Sequence, residues 1–257
     1  MPSHNLIYLK PDWPAPPTIH AATSTRAGGV SDGIYSAFNL GSHVGDRPEA
    51  VEVNRHLLHQ SLSLPEMPLW LTQVHGTAVL VRERRPVHDN PSPMLEYDAC
   101  YSNHPKTVCA VLTADCLPVL FCSRDGYEIA SAHAGWRSLV DGVLVNTVAK
   151  FNCGRADVLA WMGPSIGSAS YEVGKELRDG FLAKWAMYGT EKVAACFVQQ
   201  SHNRYLCDLY LLAALQLRAL GVTGIYGGGF DTFADPQRFY SFRRDGVTGR
   251  MVSLIWR

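Results

Sequence analysis

The chain has no charge bias: 23 Lys and Arg balance 23 Asp and Glu, for a formal net charge of zero. Such a surface offers nucleic acid or an anionic membrane nothing to grip by bulk electrostatics. No apolar run approaches the roughly 20 residues that span a bilayer. The opening residues, M-P-S-H-N-L-I-Y-L-K-P-D-W-P, lack the basic segment and apolar stretch of a secretory leader. Cysteine pairing is missing too. Seven cysteines stand at 100, 109, 116, 122, 153, 196 and 207, with no C-x-x-C among them. An odd, scattered set inside apolar runs speaks against a disulfide framework and for a reducing cytoplasm. There is no internal repeat, low-complexity linker or shift of composition. Apolar residues make up 47% and charged ones 18%, which is enough for a large core. The expectation is one domain over residues 1–257. A monomer is the default, since no coiled coil or long apolar edge is visible.

What is present is concentrated between Val108 and Leu139. Val108–Leu112 is an apolar run that reads as a buried strand. Thr113, Ala114 and Asp115 break it and deliver Cys116. Pro118–Cys122 reads as a second strand. Ser123-Arg124-Asp125-Gly126 is a turn, because glycine supplies the positive φ. A third strand, Glu128–Ala132, delivers His133, and a helix starts at Trp136. Reactive side chains at strand ends are rigid on one side and reachable on the other.

The remaining elements follow from pattern. Strands are expected at Thr18–Thr25, Leu69–Val74, Ala78–Arg82, Val158–Met162, Val193–Val198 and Val222–Tyr226. Asp46 is expected to cap a helix running to about Leu62, with Asp46 and Glu49 in capping-box spacing. Leu139, Val140, Val143, Leu144, Val148 and Phe151 have helical spacing, and Gly154 is the expected left-handed stop. Helices are expected over Gly174–Met187 and from the Asp208 cap to Gly221. Arg84–Pro93 reads as a loop. Phe239–Arg243 and Met251–Trp256 read as a hairpin. Strands outnumber helices and do not alternate strictly with them. The fold class is therefore α/β, a single-domain sandwich of mixed β-sheets with outer helices.

Three residues share one pattern: His75, Cys116 and His133 each end an apolar run and precede small or turn residues. Two imidazoles and a thiolate are a normal zinc set, and three protein ligands leave a fourth position open, as in catalytic sites. The same donors suit copper. A rival reading makes Cys116 a nucleophile with His133 as its base. A plainer one makes Cys116 a core thiol and the histidines ordinary hydrogen-bonders. His56 and His59, one helical turn apart, read as a solvated pair. Arg26 in R-A-G-G-V-S-D-G, and Arg137 at a helix start, are candidate anion holders.

Several longer motifs closely resemble the YfiH-type laccase-domain family: S-T-R-A-G-G-V-S, N-L-G-S-H-V-G-D, T-Q-V-H-G at 72–76 and T-A-D-C-L-P-V-L-F at 113–121. So do A-H-A-G-W-R at 132–137, W-M-G-P-S-I-G, Y-E-V-G and the closing R-R-D-G-V-T-G-R-M-V-S-L-I-W. The resemblance covers nearly the whole chain. It implies a cytoplasmic enzyme with mixed sheets and a metal site, zinc in most members, on His75, Cys116 and His133. It also implies phosphorolysis of adenosine, inosine and methylthioadenosine, with adenosine deamination besides. The partners implied are a nucleoside and phosphate, with Arg26 a substrate-binding candidate. The family was first labelled copper polyphenol oxidase, and a bacterial branch is linked to editing of peptidoglycan precursors, which a Cys–His hydrolase would perform.

The residues weigh these labels. A multicopper oxidase needs about ten imidazoles and paired H-x-H ligands, by the resemblance to such enzymes. This chain has ten histidines in all and no H-x-H. Deamination suits a zinc site, but the H-x-E and P-C-x-x-C signature is absent, so another group must serve as acid, with Asp115 a candidate. Where the family usually has Cys-Thr, this chain has Asp231-Thr232, and a loop-capping Asp is the simpler account.

Overall fold

A computed structural model describes residues 5–82 and 96–257. The expected loop Arg84–Pro93 lies outside the described residues. The apolar runs at the centre of the chain become strands of two facing sheets. Six strands form one sheet in the order β12 (Gly224–Gly227), β8 (Val158–Met162), β6 (Leu117–Ser123), β7 (Ile129–Ala134), β4 (Ala99–Ser102) and β3 (Val79–Arg82). Its outer pairs, β12–β8 and β3–β4, are parallel, and its inner pairs are antiparallel. The second sheet is antiparallel, in the order β1 (Tyr8–Leu9), β2 (His20–Ser24), β13 (Met251–Trp256) and β5 (Val108–Thr113). The fold is thus the expected α/β arrangement with mixed sheets.

Strand periodicity sorts the side chains into layers. Leu120, Cys122, Ile129 and Trp161 of the six-stranded sheet meet Cys109 and Ile255 of the other sheet. Leu117, Val119 and Phe121, on the opposite face of β6, pack with Leu139, Leu144 and Leu217 from α2 (Trp136–Asp141), α3 (Val143–Val148) and α6 (Leu209–Ala219). Val108, Ala110 and Leu112 pack with Leu58 of α1 (Pro48–Ser61). With both faces of β5, β6 and β7 covered, their sequences read as unbroken apolar runs rather than alternating ones.

A third sheet comprises β10 (Phe197–Ser201), β11 (Arg204–Cys207) and β9 (Glu172–Gly174); the strand expected at Val193–Val198 overlaps only the first two residues of β10, and β11 and β9 have no counterpart in the sequence reading. β10 is exposed beyond Phe197, so it lacks the hydrophobic alternation that signals a strand. α4 (Lys175–Lys184) and α5 (Thr190–Ala194) lie between β9 and β10 in sequence. Val193, expected in a strand, ends up in α5.

Five other expectations change. The helix from Trp136 is two helices, because Gly142 takes φ 98° and interrupts it. Gly154, expected to be left-handed, has φ −59°. Leu69–Val74 contributes only an isolated bridge, Thr72 to Glu96. The expected hairpin does not form: β2 and β5 occupy both edges of β13, and Phe242–Asp245 coils into α7. Asp46 does not cap α1; its carboxylate accepts from Ser31 Oγ and Asn39 Nδ2, and Arg47 takes the cap position. Among the described residues, no helix is long and apolar enough to cross a membrane.

A candidate metal centre and its cavity

Sheet register brings the site together. In the β6–β7 pair, Leu117 faces Ala134 and Pro118 faces His133. Cys116, one residue before Leu117, therefore stands beside Gly135. In the β4–β7 pair, Ala99 faces Ala132. Asp98, one residue before Ala99, therefore stands beside His133, whose N–H donates to the Asp98 carbonyl at 2.7 Å.

The Asp98 side chain is fully buried and serves both histidine segments. Its Oδ1 lies 2.7 Å from His133 Nδ1 and accepts from the His75 N–H at 3.0 Å. Its Oδ2 accepts from Val74 and Gly76 N–H groups. These bonds hold His75 at φ 59°, a left-handed backbone that a non-glycine residue adopts only when its surroundings impose it. A carboxylate on Nδ1 fixes the His133 tautomer and leaves Nε2 as the free donor atom.

The three residues singled out by sequence meet. Cys116 Sγ lies 3.8 Å from His75 Nε2, and the ligand atoms of His75, Cys116 and His133 all lie within 4.8 Å of one another. Tetrahedral zinc at its usual bond lengths needs S and N ligands about 3.4–3.6 Å apart, so the donor set fits with small adjustments. It is the one such group of three among the described residues. His56 and His59 take no part; His56 Nδ1 instead sits 2.9 Å from the Glu52 carbonyl.

Electrostatics favour the thiolate at Cys116 and the charged imidazolium at His133, so a metal ion bound there would displace the His133 proton. Burial alone would push the Cys116 thiol up, but the imidazoles of His133 and His75 outweigh it and bring it down to about 6. Burial would lower His133, yet the Cys116 sulfur and the Asp98 carboxylate raise it to about 9. Asp98 itself is held below the usual carboxylate range: burial opposes this, and His133 and the backbone donors prevail.

The triad opens into a cavity of about 390 Å³ whose walls include His43, Trp136, Arg137, Tyr171, Arg243 and Arg250. A larger hollow of about 660 Å³ adjoins it and shares Trp136, Arg137, Tyr171 and Arg243. The smaller one holds His75, Cys116 and His133 in its wall. Gln73 also lines it, but its amide is spent on Leu112, donating to the carbonyl and accepting from the N–H, both at 2.7 Å.

Two residues are engaged otherwise than sequence suggested. Arg26 does not line the cavity; its guanidinium donates to the carbonyls of Ser36 and Pro236 and lies over Tyr240. Asp115 does line it, yet its carboxylate is committed. Oδ1 accepts from Thr232 Oγ1, and Oδ2 accepts from Ser241 Oγ and the Arg243 N–H. At φ 90° it anchors the turn that presents Cys116. Asp231 accepts from Ser170 Oγ and from the Phe233 and Ala234 N–H groups, as a loop cap does.

Sequence reasoning missed Asp98, because a lone Asp before a short strand has no local signal. It passed over His43 as an individual, although the segment N-L-G-S-H-V-G-D was among the family-like motifs.

Comparison with known proteins gives the same picture. A family model described as multi-copper polyphenol oxidoreductase laccase matches residues 20–257. An Escherichia coli protein named purine nucleoside phosphorylase YfiH is 48% identical over 248 residues, 96% of this chain and 98% of that protein. A Pseudomonas aeruginosa protein, also named purine nucleoside phosphorylase, is 46% identical over 97% of this chain and 98% of its own length. A solved Neisseria meningitidis structure superposes with TM-score 0.88 at 43% identity, covering 97% of this chain and 98% of that one. YlmD from Geobacillus stearothermophilus gives TM-score 0.85 at 29% identity, over 94% and 92%. With motifs, sheets and full-length similarity in agreement, the chain belongs to the YfiH-type laccase-domain family.

Proposed function

We propose that this chain is a cytoplasmic, single-domain enzyme that cleaves purine nucleosides with phosphate, using zinc held by His75, Cys116 and His133. Adenosine, inosine and methylthioadenosine are the substrates, and adenosine deamination is a side activity. The observation that carries the reading is the meeting of three donor atoms at the wall of a cavity about 390 Å³ in volume. That volume lies in the range of roughly 300–1,000 Å³ typical of small-molecule sites. The names of relatives at 46–48% identity supply the reaction class. The seven cysteines, all free, suit a reducing compartment.

In phosphorolysis a phosphate oxygen bonds to C1′ of the ribose as the bond from C1′ to the purine nitrogen breaks. The base keeps the electron pair, and the proton of monohydrogen phosphate ends on it. When bound, zinc supplies Lewis-acid polarisation and lowers the pKa of water at the site. The chain's own residues prepare this. Asp98 orients His133 and the His75 turn. The lowered Cys116 thiol offers its thiolate at neutral pH. Trp136 and Tyr171 give the cavity aromatic walls. Asp115, committed to three donors, is not the acid of a deamination step; it holds Cys116 in place.

Copper-based polyphenol oxidation fits less well. A multinuclear cluster needs more donors than the single His75, Cys116, His133 group found among the described residues. Chromatography of adenosine incubated with phosphate tests the proposal: adenine and ribose 1-phosphate should accumulate, and Cys116→Ala should reduce both to background. Equal yields from the two proteins would end it. A second reading, a thiol hydrolase acting on peptidoglycan precursors, draws on the lowered thiol beside His133. It expects full activity in metal-free protein, where the first reading expects none.

A further inference from the structure

The cavity beside the triad carries more positive charge than its own carboxylates neutralise. Arg137, Arg243 and Arg250 line it, and Asp115 is the one carboxylate among the lining residues. Asp115 spends both oxygens on Thr232, Ser241 and the Arg243 backbone. Arg250 is tied down by the carbonyls of Thr248 and Gly249 and by packing on Gly41. Arg243 donates from Nη1 to the Glu172 carbonyl, which is neutral. Among the described residues, no hydrogen bond or ion pair engages the Arg137 guanidinium; its contact is with an aromatic ring.

Arg137 and Arg243 are both laid on rings. The Arg137 guanidinium is 4.4 Å from the Trp136 ring centre, and that of Arg243 is 5.1 Å from the Tyr171 ring centre. Stacking occupies the face of a guanidinium and leaves the N–H fork at its edge available. All four residues line both the triad cavity and the adjoining hollow, so the two forks stand at the boundary between them. Of the two carboxylates that line the hollow, Glu172 lies 3.8 Å from Arg204 and Glu176 folds back over Gly174.

The geometry points to Arg137 and Arg243 as the seat of the phosphate co-substrate, held by two stacked guanidinium forks at the junction of the two cavities. This rests on the phosphorolysis reading, and it replaces Arg26, which does not line the cavity and donates to the carbonyls of Ser36 and Pro236. Two forks with unspent donors match the oxygens of a phosphate, and neither needs to abandon a carboxylate to bind it.

The test uses the metal-loaded, full-length protein. With adenosine saturating, Arg137→Ala and Arg243→Ala should each raise the KM for phosphate about 10-fold or more, the factor that loss of one charge-assisted hydrogen bond implies. The KM for adenosine and the metal content should stay within about twofold of wild type, and Arg137→Lys should recover part of the loss, since it restores charge without the fork. Phosphate KM within twofold of wild type in both alanine variants overturns the assignment. A measurement on wild-type protein guards against misfolded variants: inorganic phosphate should protect Arg137 from phenylglyoxal. Identical labelling with and without phosphate also overturns the seat. Should wild-type protein form no ribose 1-phosphate, the phosphorolysis reading fails, and calorimetric titration of phosphate alone then judges the seat separately.

Discussion

Gly135 shows how much a single missing methyl decides. Its backbone is at φ −62°, which any residue can adopt. A Cβ there would lie 2.9 Å from His75 Cδ2 and 3.0 Å from Cys116 Sγ, closer than carbon packs without displacement. Gly135→Ala should therefore leave the fold intact while splaying two of the three donors. Metal affinity should drop about 10-fold or more, a factor typical of disturbing the residues around a metal's ligands. Metal content after gel filtration, beside an unchanged far-UV circular dichroism spectrum, checks this. The donors themselves were legible in sequence, because each closes an apolar run. Asp98 was not, because its meaning lies in register: only the pairing of β4 with β7 brings it to His133.

Elements show where sequence patterns mislead. The apolar spacing from Leu139 to Phe151 continues across Gly142, so periodicity saw one helix where the backbone makes two. At Gly142 a Cβ would find its nearest neighbours at 3.6 Å, an ordinary contact. The cost of Gly142→Ala is thus conformational, about 1–2 kcal/mol for forcing an L-residue left-handed. Urea denaturation should show a shifted midpoint with an unchanged slope. Just before β7, Glu128 ties that strand to the segment that follows α3. Its carboxylate accepts from Tyr101 OH, from Asn152 N–H and Nδ2, and from Cys153 N–H. Burial would push this carboxyl up, but those donors hold it below its usual range. A carboxyl depressed by folding stabilises above its unfolded pKa and loses that contribution as pH falls through its folded one. Glu128→Gln should therefore be less stable than wild type at pH 7, by about 1–3 kcal/mol. The gap should narrow below the ordinary carboxylate pKa of about 4.3. Thermal melts of both proteins from pH 7 to pH 3 measure it, and a gap that does not change with pH would contradict the account.

At the scale of the whole molecule, the layered architecture and the family were both legible, since buried central strands and long motifs survive without local ambiguity. The small sheet β9–β11 was not, because its strands expose most of β10 and carry no apolar rhythm. The site joins distant parts of the chain, residues 75, 116 and 133, so anything bound there ties them together. A ligand that binds only the folded state stabilises it by mass action, by about 2.7 kcal/mol at 100 times its Kd. For a chain of this size that corresponds to about 5 °C or more in Tm. Stripping the protein with a chelator should lower Tm by that order, and added zinc should restore it. Cys116→Ala should melt at one temperature with or without zinc. A chelator-insensitive wild type would show that no ion bridges the three residues.

Asp98 grips the His133 ring with the same carboxylate that pins the turn carrying His75. The two imidazoles are consequently geared to each other rather than free to drift. A nuclear spin label on either ring should register damage done to its neighbour, and losses from altering both should fall short of their sum.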